Sequence, residues 1–216
     1  MQNSYDDWQL VIGDSSTLKE QREAIRQYCE GLEKEDSRII FKQYRAWSEE
    51  ERERKCEFAT KINKMAKEAT GDWFTYLNDD DLYHSHYYQA YKDVIDGIPE
   101  VKIVYTGQHA MTIDGQVQYS LPAINIKRCM FFCVDQNCVA HRRELLEEVN
   151  GWCTDPWVNG YADAEFWWKL AQKGYLAYPT SKYTSIKTIH AGQISAGAKV
   201  PYDNPLNIMQ EGAIIQ

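Results

Sequence analysis

Short apolar runs and longer stretches of helical period alternate through the first half of the chain. Trp8-Gln9-Leu10-Val11-Ile12 is an apolar run closed by Gly13-Asp14-Ser15-Ser16-Thr17, which predicts a buried strand and its turn. Residues 18–32 then take helical spacing, with Ser16 or Thr17 standing where an N-cap belongs. Residues 38–41 predict a second strand. Residues 48–69 read as helical and heavily charged: 49–55 form a solvated face, whereas Cys56, Ala59, Ile62, Asn63 and Ala66 recur on one side, and Thr70-Gly71 ends the pattern. Residues 73–77 predict a third strand, 86–95 a helix stopped by Gly97-Ile98-Pro99, and 101–105 another strand. Residues 111–119 alternate around Asp114-Gly115 and predict a hairpin. Beyond it come a short strand at 137–141, a helix at 142–149 ended by Asn150-Gly151, an amphipathic helix at 163–173 ended by Gly174, and a last strand at 187–189. The stretch from Ala196 has mixed polarity and reads as a loose C-terminal arm, 196–216.

Strand–helix alternation of this kind predicts an α/β fold with an open, mostly parallel sheet flanked by helices and a small antiparallel part. Ligands in such sheets bind beyond the C-terminal ends of the strands. Asp14 stands at one such end and Asp79-Asp80-Asp81 at another. Consecutive carboxylates repel and raise one another's pKa unless a cation lies among them. The triplet is therefore either plainly solvated or arranged for a hard metal ion.

Composition narrows the classes. The 216 residues suit one large domain. A net charge of −8 argues against a broad nucleic-acid footprint. Aromatics make up 13% of the chain, enough to line a sugar or base pocket as well as a core. No apolar run is long enough for a membrane span. The segment Met1 to Asp7 lacks the form of a signal peptide, so the expectation is a cytoplasmic protein with reduced thiols. Cys129, Cys133 and Cys138 cluster, but without the paired spacing zinc sites take.

Several motifs then fall into one order. Asn3 to Trp8, followed by residues 9–17, resembles the Gln-Ser/Thr-Tyr-x-Asp-Trp segment and the strand with Asp-Asp-Gly-Ser-Thr of family-2 glycosyltransferases with the GT-A fold. Residues 69–81, Ala-Thr-Gly-Asp-Trp-Phe-Thr-Tyr-Leu-Asn-Asp-Asp-Asp, are similar to that family's Ala-x-Gly-Glu-Tyr-Ile-x-Phe-Leu-Asp-x-Asp-Asp. Asn150-Gly151-Trp152 resembles its Gly-Gly-Phe turn, and residues 162–170 its Glu-Asp-x-Asp-Leu-Trp-x-Arg-Leu helix. Each motif alone is weak; the order and spacing, from about residue 3 to residue 197, are fairly specific.

The resemblance implies a GT-A-like domain over 1–195, with a nucleotide-binding part at about 1–105 and an acceptor-binding part at about 106–195. It implies an inverting, metal-dependent transfer from a nucleotide-diphosphate sugar, a UDP-sugar in the first instance, to a glycan or other hydroxyl acceptor. Mn²⁺ or Mg²⁺ would neutralise the departing diphosphate. Asp80 is the first metal ligand it implies, with Asp81 as an alternative and His190 completing the metal or diphosphate site. Asp14, Asn63, Asp79 and Lys187 fall with the donor, and Lys199 is a further phosphate candidate. Asp163 matches the catalytic base, with Glu165 as its backup; the plain alternative is an acidic helix N-terminus. Among Trp152, Trp157, Trp167 and Trp168, one or two could form an acceptor platform, Trp167 or Trp168 fitting the core better. A homo-oligomer stays open.

Three departures set limits. Gly13 replaces an acid, Asn78 stands where the family has its first Asp, and the family's first strand, central in its sheet, has no counterpart upstream. The chain would then be truncated, or another segment or subunit would substitute. These departures favour a second hypothesis, a catalytically weak relative that binds a nucleotide sugar or glycan or serves as an assembly module. A glycoside hydrolase working with two carboxylates fits the strand-end triplet poorly.

Overall fold

The structure, a computed structural model, describes residues 6–126 and 134–190. Strand β1 (Leu10–Asp14) and helix α1 (Lys19–Glu35) lead into strand β2 (Ile39–Gln43), which pairs with β1 in parallel from Leu10↔Ile39 to Asp14↔Gln43. The residue before α1 is Leu18, which makes no side-chain cap. Ser16, expected as the cap, instead turns its main-chain N–H and its hydroxyl onto Asp14 Oδ1 at 2.9 and 2.6 Å. The charged helical stretch divides into α2 (Glu49–Arg54) and α3 (Glu57–Glu68). Ser48 and Glu51 close a capping box at the start of α2. The break has a cause: the N–H of buried Cys56 donates to Thr154 O at 2.8 Å, outside the helical ladder.

Then follow β3 (Trp73–Thr75), β4 (Leu82–Tyr83), α4 (Tyr87–Gly97), β5 (Ile103–Thr112), β6 (Val117–Leu121), β7 (Val139–Arg142), α5 (Arg143–Glu148), α6 (Ala162–Gln172) and β8 (Ala177–Ile189). They form one sheet in the order β3-β7-β5-β8-β4, with β6 hairpinned onto β5. The α/β architecture is as expected, but the sheet is less parallel. Among the described strands only β1–β2 and β5–β8 run parallel, while β3–β7, β4–β8, β5–β6 and β5–β7 are antiparallel. The hairpin at Asp114-Gly115 and the short return strands β4 and β7 account for the difference. β8 runs for 13 residues where only its last three were expected. Its first part, Tyr-Pro-Thr-Ser-Lys, lacks an apolar alternation, and its buried centre is polar, at Thr184 and Ser185. Among the described strands β1 pairs only with β2 and β3 only with β7, so each has an edge without a strand partner.

The main core lies between β5, β7, α3, α5 and α6. Trp152, expected as a candidate sugar platform, is 1% exposed and stacks on Phe166 with centroids 5.0 Å apart. Trp167 is equally buried against both rings. Indoles enclosed on every side cannot meet a sugar, so these two serve packing; Trp157 and Trp168 remain partly exposed. A polar chain threads the same core: Trp152 Nε1 donates to Tyr76 Oη at 3.3 Å, and Tyr76 Oη lies 2.8 Å from His141 Nε2. His141 Nδ1 faces Arg142 O at 2.8 Å, and burial lowers this imidazole's pKa to about 4, so it is neutral at physiological pH. The neutral ring donates from Nδ1 and accepts at Nε2, which satisfies every member. Among the described residues no helix is long and apolar enough to cross a membrane. Cys29, Cys56, Cys138 and Cys153 are free thiols; Cys129 and Cys133 lie outside the described residues, as does the arm at 196–216.

Replacing Trp152 by Ala removes both the stack and the indole donor. It is expected to cost about 3–5 kcal/mol, read as a lowered urea midpoint with unchanged slope.

Candidate functional site

The acid loop after β3 is anchored through Asp81 and Asn78. Asp81 is 5% exposed, and its carboxylate meets three donors: Thr188 N at 2.8 Å on Oδ1, and Asn78 Nδ2 (3.3 Å) and Asn137 Nδ2 on Oδ2. Loss of hydration pushes the Asp81 pKa up, the nearby Asp80 and Asp135 charges add to this, and the Thr188 N–H and Asn78 amide pull the other way. With its lone pairs so occupied, Asp81 is an anchor of the loop, and the alternative of Asp81 as metal ligand loses ground to Asp80. Asp79 and Asp80 are exposed, and Asp80 Oδ2 lies 3.0 Å from His190 Nε2.

The anchoring partners are residues that the sequence did not single out. Asp135-Gln136-Asn137 precedes β7 and forms the start of a tight turn, with Asp135 Oδ1 accepting from Asn137 N at 3.0 Å. Gln136 Nε2 donates to Asn78 Oδ1, and Asn137 Oδ1 accepts from Asn78 N at 2.9 Å. These contacts explain the departure at Asn78. Its amide accepts from Gln136 and donates to Asp81 at once, which a carboxylate there could not do. Gln136 and Asn137 are 5% and 0% exposed. Their only signal in the sequence is a polar tripeptide before an apolar strand, which reads equally well as an open loop.

Lys187, on β8, closes the cluster. Its Nζ contacts Asp135 Oδ2 at 2.6 Å. Burial works against its charge, but the carboxylates of Asp135, Asp81 and Asp163 outweigh it and raise the Lys187 pKa. Asp163, at the start of α6, keeps some solvent contact and accepts from Ala164 N at 2.8 Å on Oδ1. Loss of hydration pushes its pKa up to about 6; the neighbouring Asp135 charge adds to this, while the Ala164 N–H and the Lys187 charge counteract it. A carboxylate poised there can take a proton at neutral pH.

The other expected site residues lie elsewhere. Asp14 is buried, and its partners Ser16, Gln43 and Arg22 all belong to β1, α1, β2 and their turns; their hydrogen bonds and charge overcome its burial and lower its pKa. At Gly13, Met65 Sδ would lie 2.4 Å and Tyr44 Cε2 3.2 Å from an added Cβ, so the space for the family's acid is filled. Asn63, expected with the donor, spends its amide on Trp152: Nδ2 donates to Trp152 O at 2.8 Å, and Oδ1 accepts from Trp152 N at 2.9 Å. Gly151 beneath it has φ 73° and would place a Cβ 2.6 Å from Asn63 Oδ1, so Asn63 builds the 150–152 turn. Glu165 is buried against Lys169 at 3.3 Å, and Lys169 also donates to Val149 O and Gly151 O, which roots the same turn on α6. Lys199 lies outside the described residues.

Among the described residues no group of three or more His, Cys, Asp or Glu side chains is arranged to enclose a metal ion. Asp80 and His190 nevertheless offer a carboxylate oxygen and an imidazole nitrogen side by side, a donor set that suits a divalent ion completed by phosphate oxygens and water.

No family model matches the chain. It is 27% identical over 179 residues to the protein CgeD of Bacillus subtilis (strain 168), covering 79% of this chain and 41% of CgeD. In three dimensions it resembles S. aureus TarS residues 1–349, solved in complex with UDP-GlcNAc, with a TM-score of 0.62 at 12% identity, over 92% of this chain and 55% of that one. It equally resembles the mannosyltransferase PcManGT from Pyrobaculum calidifontis, solved in complex with GDP-Man and Mn²⁺, with a TM-score of 0.60 at 17% identity, over 90% of this chain and 52% of that one. The chain therefore has a GT-A-like fold, shared with a mannosyltransferase, and spans about half the length of the solved proteins it matches.

Asp163 binds its proton more tightly folded, at about 6, than at its ordinary 3.8. Its linkage therefore lowers stability as pH rises from about 4 to 6 and leaves a full cost above that window. Asp163→Asn is expected to gain up to about 2–3 kcal/mol at pH 7.5 and nothing at pH 4, read from urea midpoints at the two pH values.

Proposed function

We propose that the chain is a glycosyltransferase domain that moves a sugar from a nucleotide-diphosphate donor to an acceptor hydroxyl, with inversion and with a divalent metal. The observation that carries this reading is the Asp81–Thr188 bond, which brings the acid loop to the end of β8 and so sets Asp80 beside His190. Around that corner stand Asp79, Asp80, Asp81, Asp135 and Asp163, with the ammonium of Lys187 among them. A diphosphate would meet net repulsion there unless a cation came with it.

In this reading Asp80 and His190 hold Mn²⁺ or Mg²⁺, which when bound offsets the charge gathering on the departing diphosphate. Lys187 adds a fixed positive charge on the same side. Asp163 takes the proton of the acceptor hydroxyl while that oxygen bonds to the anomeric carbon from the face opposite the nucleotide. The bond from that carbon to the diphosphate oxygen breaks, and its electron pair leaves with the nucleoside diphosphate. Asp79 and Asp14 are assigned to the nucleoside side, a UDP-sugar being the first donor to try. Among the described strands β1 and β3 each keep an edge without a strand partner, which offers main-chain donors and acceptors to a further strand.

Calorimetric titration with UDP-GlcNAc and GDP-mannose tests the reading. At least one is expected to bind about tenfold more tightly with Mn²⁺ than without, and Asp80→Asn to abolish that gain; equal binding with and without metal would sink the metal-dependent assignment. Asp163→Asn is expected to keep donor binding and to lower nucleotide release by about 10²-fold or more. Donor binding with no turnover in the unaltered protein would turn the assignment toward a binding module.

A further inference from the structure

We propose that Asp135 is a positioning residue of the transfer site, whose carboxylate keeps the Lys187 ammonium off Asp163 and fixes the 136–137 amides against the acid loop. The inference rests on the transferase reading and adds a residue that neither the motifs nor the resemblance supplied.

The two oxygens of Asp135 do separate work. Oδ1 accepts from Asn137 N at 3.0 Å and so sets the turn from which Gln136 and Asn137 reach Asn78 and Asp81. Oδ2 accepts from Lys187 Nζ at 2.6 Å. Lys187 feels the charges of three carboxylates, Asp135, Asp81 and Asp163, and its ion pair is with Asp135. Asp81 is already occupied by Thr188, Asn78 and Asn137. Without Asp135 the Lys187 charge would act on Asp163 with nothing to offset it, and in the transferase reading Asp163 is the group that must stay free to take a proton. An ammonium paired with Asp163 would make it a weaker base. The charged groups that act on Asp163 are Asp135, from the turn before β7, and Lys187, from β8, and they act in opposite directions. Asp135 itself touches neither the acceptor nor the donor in this scheme; it works through Lys187 and the turn.

Asp135→Asn separates the two jobs, because an amide oxygen can still accept from Asn137 N while its NH₂ cannot accept from Lys187. The experiment uses the full chain with Mn²⁺ and whichever of UDP-GlcNAc or GDP-mannose the unaltered protein binds. It measures release of nucleoside diphosphate with water as acceptor, from about pH 5 to 9, beside donor affinity and melting temperature. The expected result is kcat reduced about tenfold or more, donor Kd changed less than about threefold, and the acid limb of the kcat profile moved to lower pH. Asp135→Glu, which keeps the charge, is expected to return the limb to its original position. An unchanged kcat and limb in Asp135→Asn would overturn the proposal, as would equal losses in the Asn and Glu variants, which mean packing alone. Should Asp135→Asn fail to fold, Lys187→Met is decisive. Removing the cation is expected to move the limb to higher pH, and a shift downward or none at all overturns the proposal. Absence of donor binding by the unaltered protein is a different result, because it removes the transferase reading itself.

Discussion

A single buried carboxylate joins the parts of this site. Asp81 receives the main chain of β8 through Thr188, the tight turn before β7 through Asn137, and its own loop through Asn78. Those stretches are distant in sequence, and each brings its own side chains: β8 and the residue after it bring Lys187 and His190, the turn Asp135, and the loop Asp80. A buried carboxylate costs free energy unless its oxygens are satisfied, and here three donors satisfy them. The same bonds that make burial tolerable also set the register of the acid loop against the sheet. Removing any donor would cost more than one hydrogen bond, since the charge would remain without the partner.

Much of the fold was legible because apolar runs and turn residues carry it. Leu10-Val11-Ile12, Ile39-Ile40-Phe41 and the Asp114-Gly115 hairpin announce themselves, and Gly151 and Gly174 end their helices with positive φ as their positions suggest. β8 was legible only at its end, because its centre buries Thr184 and Ser185, and a polar interior leaves no hydrophobic period to read. For the same reason the parallel character of the sheet was overestimated: pairing direction depends on return strands as short as β4, which propensity does not resolve. Asp80, Asp163 and His190 are expected from motif order, and Lys187 as a residue that could meet phosphate. Asp135, Gln136 and Asn137 are not, because nothing in a polar tripeptide reveals that a carboxylate will be buried beside it. Asn63 and Trp152 are both of types that contact ligands, and in the structure they bond to each other, Trp152 lying within the core.

The departures from the family pattern become intelligible as packing. Gly13 is small where Met65 and Tyr44 have moved in, and Asn78 is neutral where Asp81 needs a donor. The acids that gather at the corner are Asp79, Asp80, Asp81, Asp135 and Asp163. α6 carries Asp163 on a rigid base, since its Phe166 and Trp167 are sealed against Trp152 and its Lys169 grips the 149–151 main chain.

The grip on the acid loop is made largely of amides: Asn78, Gln136, Asn137 and the peptide N–H of Thr188. None of these donors gains or loses a proton in water, whereas the group set near pH 6, Asp163, does. The scaffold thus divides its atoms into those that hear acidity and those that are deaf to it. A drift of one pH unit around that value would alter how often Asp163 carries a proton without loosening the scaffold's side of that grip.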